Sequence, residues 1–260
     1  MKFRANRRRI LLWMKVYVNH FILACIIAGL FLPSLRAKEK SETQQSWIQL
    51  FNGKNLHGWT PKFVGHDLGV NYKNTFIVRN GVLMVCYDKY KEGWHNNMGH
   101  LFYKDAFSHY ILRVEYRLAG DQVRDAPESL LSMSSLILHG QSPESMGKQQ
   151  LKPVSLQAQL CIGRKNIYDE GEQVAADASV TVIDANERRG NQNQEGQWTS
   201  IEVEVHGGEV IRYKTGGQLI AEYKRPTLTE MGAHHSGTIA LQASSYPIQF
   251  RKIELKVLGQ

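Results

Sequence analysis

Beyond its first few dozen residues, this 260-residue chain has no stretch where apolar side chains recur with a 3.6-residue period over three turns, so helices do not carry the fold. The main apolar run, Phe21 to Leu32, is about 12 residues long where a bilayer span needs roughly 20, which argues against a permanent membrane anchor. Cysteine is scarce. Cys25 sits inside that run, which continues past it and so argues against a lipid-modified cysteine. Cys86 and Cys161 lie in strand-like runs and either pair as one disulfide or stay as two buried thiols. Acidic residues are missing from the first 37 positions, which hold seven Lys or Arg. The remainder carries 25 basic and 24 acidic groups, a net of +1, so the pI near 9.3 is no sign of a nucleic-acid partner.

A basic lead, the apolar run and the small-residue stretch ending at Ala37 make residues 1–37 a secretory signal segment. This places the chain in the periplasm or outside the cell, with membrane contact only through that segment. Residues 38–46 are polar and read as a linker, and a single domain spans 47–260. Strand signals recur along it. Phe76 to Val78 and Val82 to Tyr87 are joined by Arg79-Asn80-Gly81 as a hairpin, and Glu209 to Thr215 and Leu219 to Tyr223 flank Gly216-Gly217. Short strands are expected at Trp47 to Phe51 and Leu101 to Tyr103, and longer ones at Trp198 to His206, Gly237 to Ala243 and Ile248 to Val257. So many one-sided strands without helices predict an all-β, two-sheet sandwich.

The stretch from Tyr110 to Gln159 is the richest in candidate chemistry. Leu112, Val114, Tyr116 and Leu118 alternate with Arg113, Glu115 and Arg117, the period of a half-buried strand. Val154, Leu156, Ala158 and Leu160 alternate with Ser155, Gln157 and Gln159, and between the two lies Ser134 to Gln141, which contains His139. If these runs are neighbours in one sheet, Arg, Glu, His and Gln side chains line a single face.

Several segments carry a resemblance: Leu50-Phe51-Asn52-Gly53-Lys54-Asn55-Leu56-His57-Gly58-Trp59, Asn80-Gly81-Val82-Leu83, Gly99-His100-Leu101-Phe102-Tyr103, Leu138-His139-Gly140-Gln141, Pro153-Val154-Ser155, Gly196-Gln197-Trp198 and Leu241-Gln242-Ala243. In this order they resemble the 3-keto-disaccharide hydrolase domain family. The resemblance implies a concanavalin-like jelly roll, related in shape to laminarinase-type enzymes, that acts on sugars oxidised at carbon 3. Two departures stand out. The family subgroup usually reads Asn-Ser-Gly where this chain has Met133-Ser134-Ser135, and usually has a glutamate where this chain has Gln157. A glutamine neither transfers a proton as an acid or base nor supplies an anionic metal ligand. The Glu-x-Asp-x-x-Glu arrangement of laminarinase-like enzymes is absent too, so an ordinary two-carboxylate mechanism lacks its residues.

A ketone at carbon 3 acidifies the proton at carbon 2 and permits elimination of the substituent at carbon 1. The candidates are Glu115 as base and His139 as acid or as ligand of a divalent metal ion, with Arg113 and Arg117 holding the sugar. Gln157, Gln159, Trp94, His95, His100, Trp198 and Gln242 are further candidates for contact with a carbohydrate ligand. The charged trio equally fits a cross-strand charge cluster on a solvated face. Arg251 shares parity with Ile253, Leu255 and Val257, which predicts an inward side chain with a structural ion pair. A non-catalytic carbohydrate-binding domain is the alternative function.

Overall fold

The computed structural model describes residues 46–130, 133–161, 179–182, 196–224 and 235–259. The stretches expected to be a signal segment and a linker, save residue 46, and most of the stretch between Gly163 and Gln197 lie outside the described residues. Fourteen strands follow in chain order: β1 (Ile48–Gln49), β2 (Trp59–Phe63), β3 (Phe76–Arg79), β4 (Val82–Val85), β5 (Gly99–Phe107), β6 (His109–Leu118), β7 (Met133–Gly140), β8 (Ser155–Cys161), β9 (Ser179–Val182), β10 (Thr199–His206), β11 (Val210–Thr215), β12 (Gln218–Lys224), β13 (Gly237–Ala243) and β14 (Ile248–Val257). They form two sheets. One runs β12-β11-β10-β6-β14-β4-β3 with β1 added beside β14, and the other runs β2-β5-β13-β7-β8-β9. The architecture is an all-β jelly-roll sandwich. Among the described residues no helix is long and apolar enough to cross a membrane.

The alternation read from the sequence sets the layers. Tyr110, Leu112, Val114, Tyr116 and Leu118 of β6 point inward and meet Leu136, Leu138, Leu156, Ala158, Leu160 and Leu241 of the facing sheet in one core. Each fully buried Leu or Val removes enough apolar surface from water for about 1.5–3 kcal/mol. Asn80 and Gly81 take φ of 52° and 77°, as a two-residue hairpin turn needs, and Gly216-Gly217 does the same at 53° and 77°. Strand β2 was not anticipated. Its Pro61 lacks an N–H, which the sheet tolerates because β2 is an edge strand.

Three expectations fail. Strand β6 pairs with β10 and β14, whereas β7 pairs with β13 and β8, so the runs at 110–118 and 134–160 belong to different sheets and share no face. Arg251 points outward, because β14 shifts register between Phe250 and Lys252 and this bulge reverses the parity before Ile253. Cys86 is a free thiol, so the disulfide alternative fails; the Cys161 side chain lies outside the described residues.

Candidate functional site

The sequence-predicted residues separate into three places. Arg113, Glu115, Arg117 and Trp198 occupy the outer face of the larger sheet. Arg113 bridges Glu202 at 3.0 Å and Glu254 at 2.9 Å, its cross-strand partners on β10 and β14, and lies over the Trp47 ring. Glu115 is held by Arg251 at 2.6 Å, and Arg117 and Arg251 both lie over the Trp198 ring, at 4.7 and 4.6 Å. These groups are committed to one another, as the charge-cluster reading has it.

His139 is elsewhere. It is fully buried at the end of β7, with φ of 48°, where the β7–β13 register shifts. Its Nε2 lies 3.3 Å from the Ser108 carbonyl oxygen, and its ring packs edge-on to inward-facing Tyr110. The ring is enclosed between the sheets, whereas Glu115 lies on the outer face of the larger sheet, so the two do not meet. Among the described residues no three of His, Cys, Asp and Glu converge to hold a metal ion.

The outer face of the smaller sheet gathers the rest. Register places Lys62 opposite His100 and His100 opposite Gln242, while Ser135 stands opposite Gln159 on β7 and β8. One residue pair further along, Phe102 stands opposite Ala240, Ala240 opposite Ile137 and Ile137 opposite Gln157. The face therefore has a polar row beside a mainly apolar one. The loop after β7 crosses it: Met146 packs on Phe102, Ile137 and Ala240. Gln141 holds that loop, its Oε1 accepting from Gln150 Nε2 at 2.8 Å and from the Val154 N–H at 2.7 Å. Lys62 clips it from the other side, donating to the carbonyls of Phe63, His66 and Lys148.

Under this cover the polar groups are enclosed but not all satisfied. Lys62, His100, Ser135, Gln157 and Gln242 are all buried. Gln242 Nε2 has the Met98 sulfur at 3.3 Å, a weak acceptor. Among the described residues His100 Nε2 and Gln157 Nε2 have no partner. Leaving a buried polar atom unpaired costs about 1–3 kcal/mol, so two on one enclosed strand face call for an explanation. Burial, then the charges of Lys152 and Lys62, push the His100 ring down to about 3, so it is neutral near pH 7. The two rows that form this face contain no carboxylate.

Two aromatic-loop candidates do not reach this face as ligand contacts. Trp94 is buried with Tyr90 and Met98, and Tyr87 meets its ring edge-on; the cluster walls the face through Met98 but offers no ring for stacking. His95 is exposed on the loop, with φ of 48°. Sequence reasoning missed Lys62, Lys152 and Ser135. For Lys62 the signal was there, since Trp59 and Phe63 alternate with Thr60 and Lys62, but Pro61 hid the strand.

Comparison with known proteins agrees with this architecture. Two structures from Parabacteroides distasonis, both assigned provisionally as glycosyl hydrolases, share the fold. The first has a TM-score of 0.56 at 14% identity, covering 85% of this chain and 97% of its own. The second has a TM-score of 0.50 at 15% identity, covering 82% and 100%. No curated protein matches the sequence. Residues 46–256 match the 3-keto-alpha-glucoside-1,2-lyase-like domain, and the chain belongs to that family of sugar-active proteins.

Proposed function

We propose that this protein binds a glycoside oxidised at carbon 3 on the outer face of its smaller sheet and cleaves it by elimination across carbons 1 and 2. The observation that carries the proposal is the buried Nε2 of His100, with that of Gln157, neither of which has a partner among the described residues, on an otherwise enclosed polar strand face. Family membership supports the substrate class. The absence of carboxylates from both rows favours elimination over two-carboxylate hydrolysis.

In this mechanism the carbon-3 ketone acidifies the proton on carbon 2, and the neutral His100 ring accepts it at Nε2. The electron pair forms the C1=C2 double bond as the C1–O bond breaks. The departing oxygen takes up the proton that His100 removed from carbon 2, passed on directly or through water, and leaves as the free alcohol or sugar, which returns the ring to its neutral form. Lys152, whose charge already acts on His100, stabilises the enolate that develops at the ketone oxygen. Gln242 and Gln157 supply amide hydrogen bonds to sugar hydroxyls. Addition of water across C1=C2 then makes the net change a hydrolysis. An imidazole among amides and ammonium groups is a poor donor set for a divalent ion, so no step runs through a metal. Export by the segment 1–37 places this activity in the periplasm or outside the cell.

The test is turnover of a 3-keto-glucoside beside its unoxidised parent, in the wild type and in His100→Gln. Cleavage of the keto sugar alone, falling at least about 100-fold in a folded variant, is the expected outcome. The low basicity of His100 favours a second reading, a carbohydrate-binding domain without turnover. Saturable binding of the keto sugar with no cleavage in the wild type would establish that reading instead.

A further inference from the structure

A cleft of about 490 Å³ opens on the opposite side of the sandwich, beside the β3–β4 hairpin. Its floor is the outer face of the larger sheet, where Met84 stands opposite Ile77 and Gln249, and its walls are the segments around Tyr87 and Asp121. The volume lies within the range of roughly 300–1,000 Å³ typical of small-ligand sites. Arg79 and Arg124 bring two positive charges to the lining, and Asp88 and Asp121 two negative ones. Arg124 is committed to Asp125 and to the Lys91 carbonyl. Arg79 and Asp121 form no ion pair or side-chain hydrogen bond among the described residues. Tyr87, whose buried hydroxyl also lacks a partner among the described residues, forms part of the wall.

From this we infer that the cleft is a second, non-catalytic saccharide site. The balanced charges disfavour a phosphorylated or other anionic ligand, because Asp88 and Asp121 repel it. Charged and amide groups around the rim disfavour a lipid. What fits is a neutral molecule with many hydroxyls and an apolar flank: hydroxyls bridge the Arg79 guanidinium and the Asp121 carboxylate, and the C–H face lies on Met84 and Ile77. Gln249 links the cleft to the Trp198 cluster, since its Oε1 accepts from Arg117 Nε at 2.8 Å. A site here holds a glycan chain while the opposite face acts on another part of it or on a neighbouring chain.

Cys86 lines the cleft and reports on its occupancy. The experiment measures alkylation of Cys86 by iodoacetamide, read by mass spectrometry of its peptide, in the full chain titrated with trehalose or with inorganic phosphate; calorimetry with trehalose runs in parallel. Trehalose is expected to slow alkylation at least threefold and saturably, equally in the wild type and in His100→Gln, while phosphate does not. Arg79→Ala and Asp121→Asn are each expected to weaken both the protection and the calorimetric affinity about tenfold. Protection by phosphate alone, calorimetric binding untouched by either cleft substitution, or binding abolished by His100→Gln would overturn the assignment. The last outcome would leave the opposite face as the sugar site, so failure of the cleft stays distinct from failure of the proposed activity.

Discussion

His100 is the residue whose environment most directly shapes the proposed chemistry. Desolvation first, then the ammonium groups of Lys152 and Lys62, lower its pKa from 6.5 to about 3. Two consequences follow from the sign of that shift. The ring stays neutral well below pH 6.5, so the acid side of kcat/KM is expected to lack the usual histidine limb between pH 5 and 7; a limb near 6.5 would mean that the reacting histidine is solvated. The shift also enters folding. Between pH 6.5 and 3 the unfolded chain binds a proton that the folded chain does not, so this part of the stability is complete above 6.5 and is lost as pH falls toward 3. His100→Gln is therefore expected to lose less stability than the wild type between pH 7 and pH 4, measured by urea unfolding. Glu204 acts in the same sense at lower pH. Burial alone would raise its carboxyl, but hydrogen bonds from Lys214, His206 and Arg212 outweigh it and hold it at about 2, so its contribution is present above about 4.5 and lost as pH falls toward 2. Glu204→Gln is expected to cost about 1–3 kcal/mol at pH 7, read in the same unfolding experiment.

Among the elements, the strands were legible and their partners were not. Alternation over Tyr110 to Leu118 predicted which side chains of β6 enter the core, and each of them does. The same alternation does not encode which strand lies beside which. Strand β7 follows β6 in sequence but lies in the facing sheet, and this alone separates His139 and Gln157 from Glu115. Bulges are equally silent: one extra residue in β14 turns Arg251 outward, and the register shift at the end of β7 goes with a buried His139 at positive φ. The β7 irregularity depends on a glycine across the ladder. A Cβ on Gly237 would come within 2.4 Å of the His139 backbone, nearer than atoms without a bond approach, so Gly237→Ala is expected to destabilise the fold by about 1–3 kcal/mol in thermal unfolding. His100 and Gln242 were nominated by residue type. Their position opposite one another came only with the pairing of β5 and β13, which lie far apart in the chain.

At the scale of the molecule, one core serves two unlike faces. The larger sheet presents paired charges, Arg113 with Glu202 and Glu254 and Glu115 with Arg251, an arrangement that costs and contributes little. The smaller sheet presents polar strand residues that a loop has closed over, which is the costly arrangement and so the informative one. Leu112 stands in the core between them, completely buried, and Leu112→Ala is expected to cost about 2–5 kcal/mol without selectively changing either face. The most direct test of the account is the rate of 3-keto-glucoside cleavage by the wild type, His100→Gln and Glu115→Gln, with folding checked for each. The account predicts loss of at least about 100-fold in His100→Gln and near-wild-type turnover in Glu115→Gln. Turnover lost in Glu115→Gln and kept in His100→Gln would contradict it and move the chemistry to the other face.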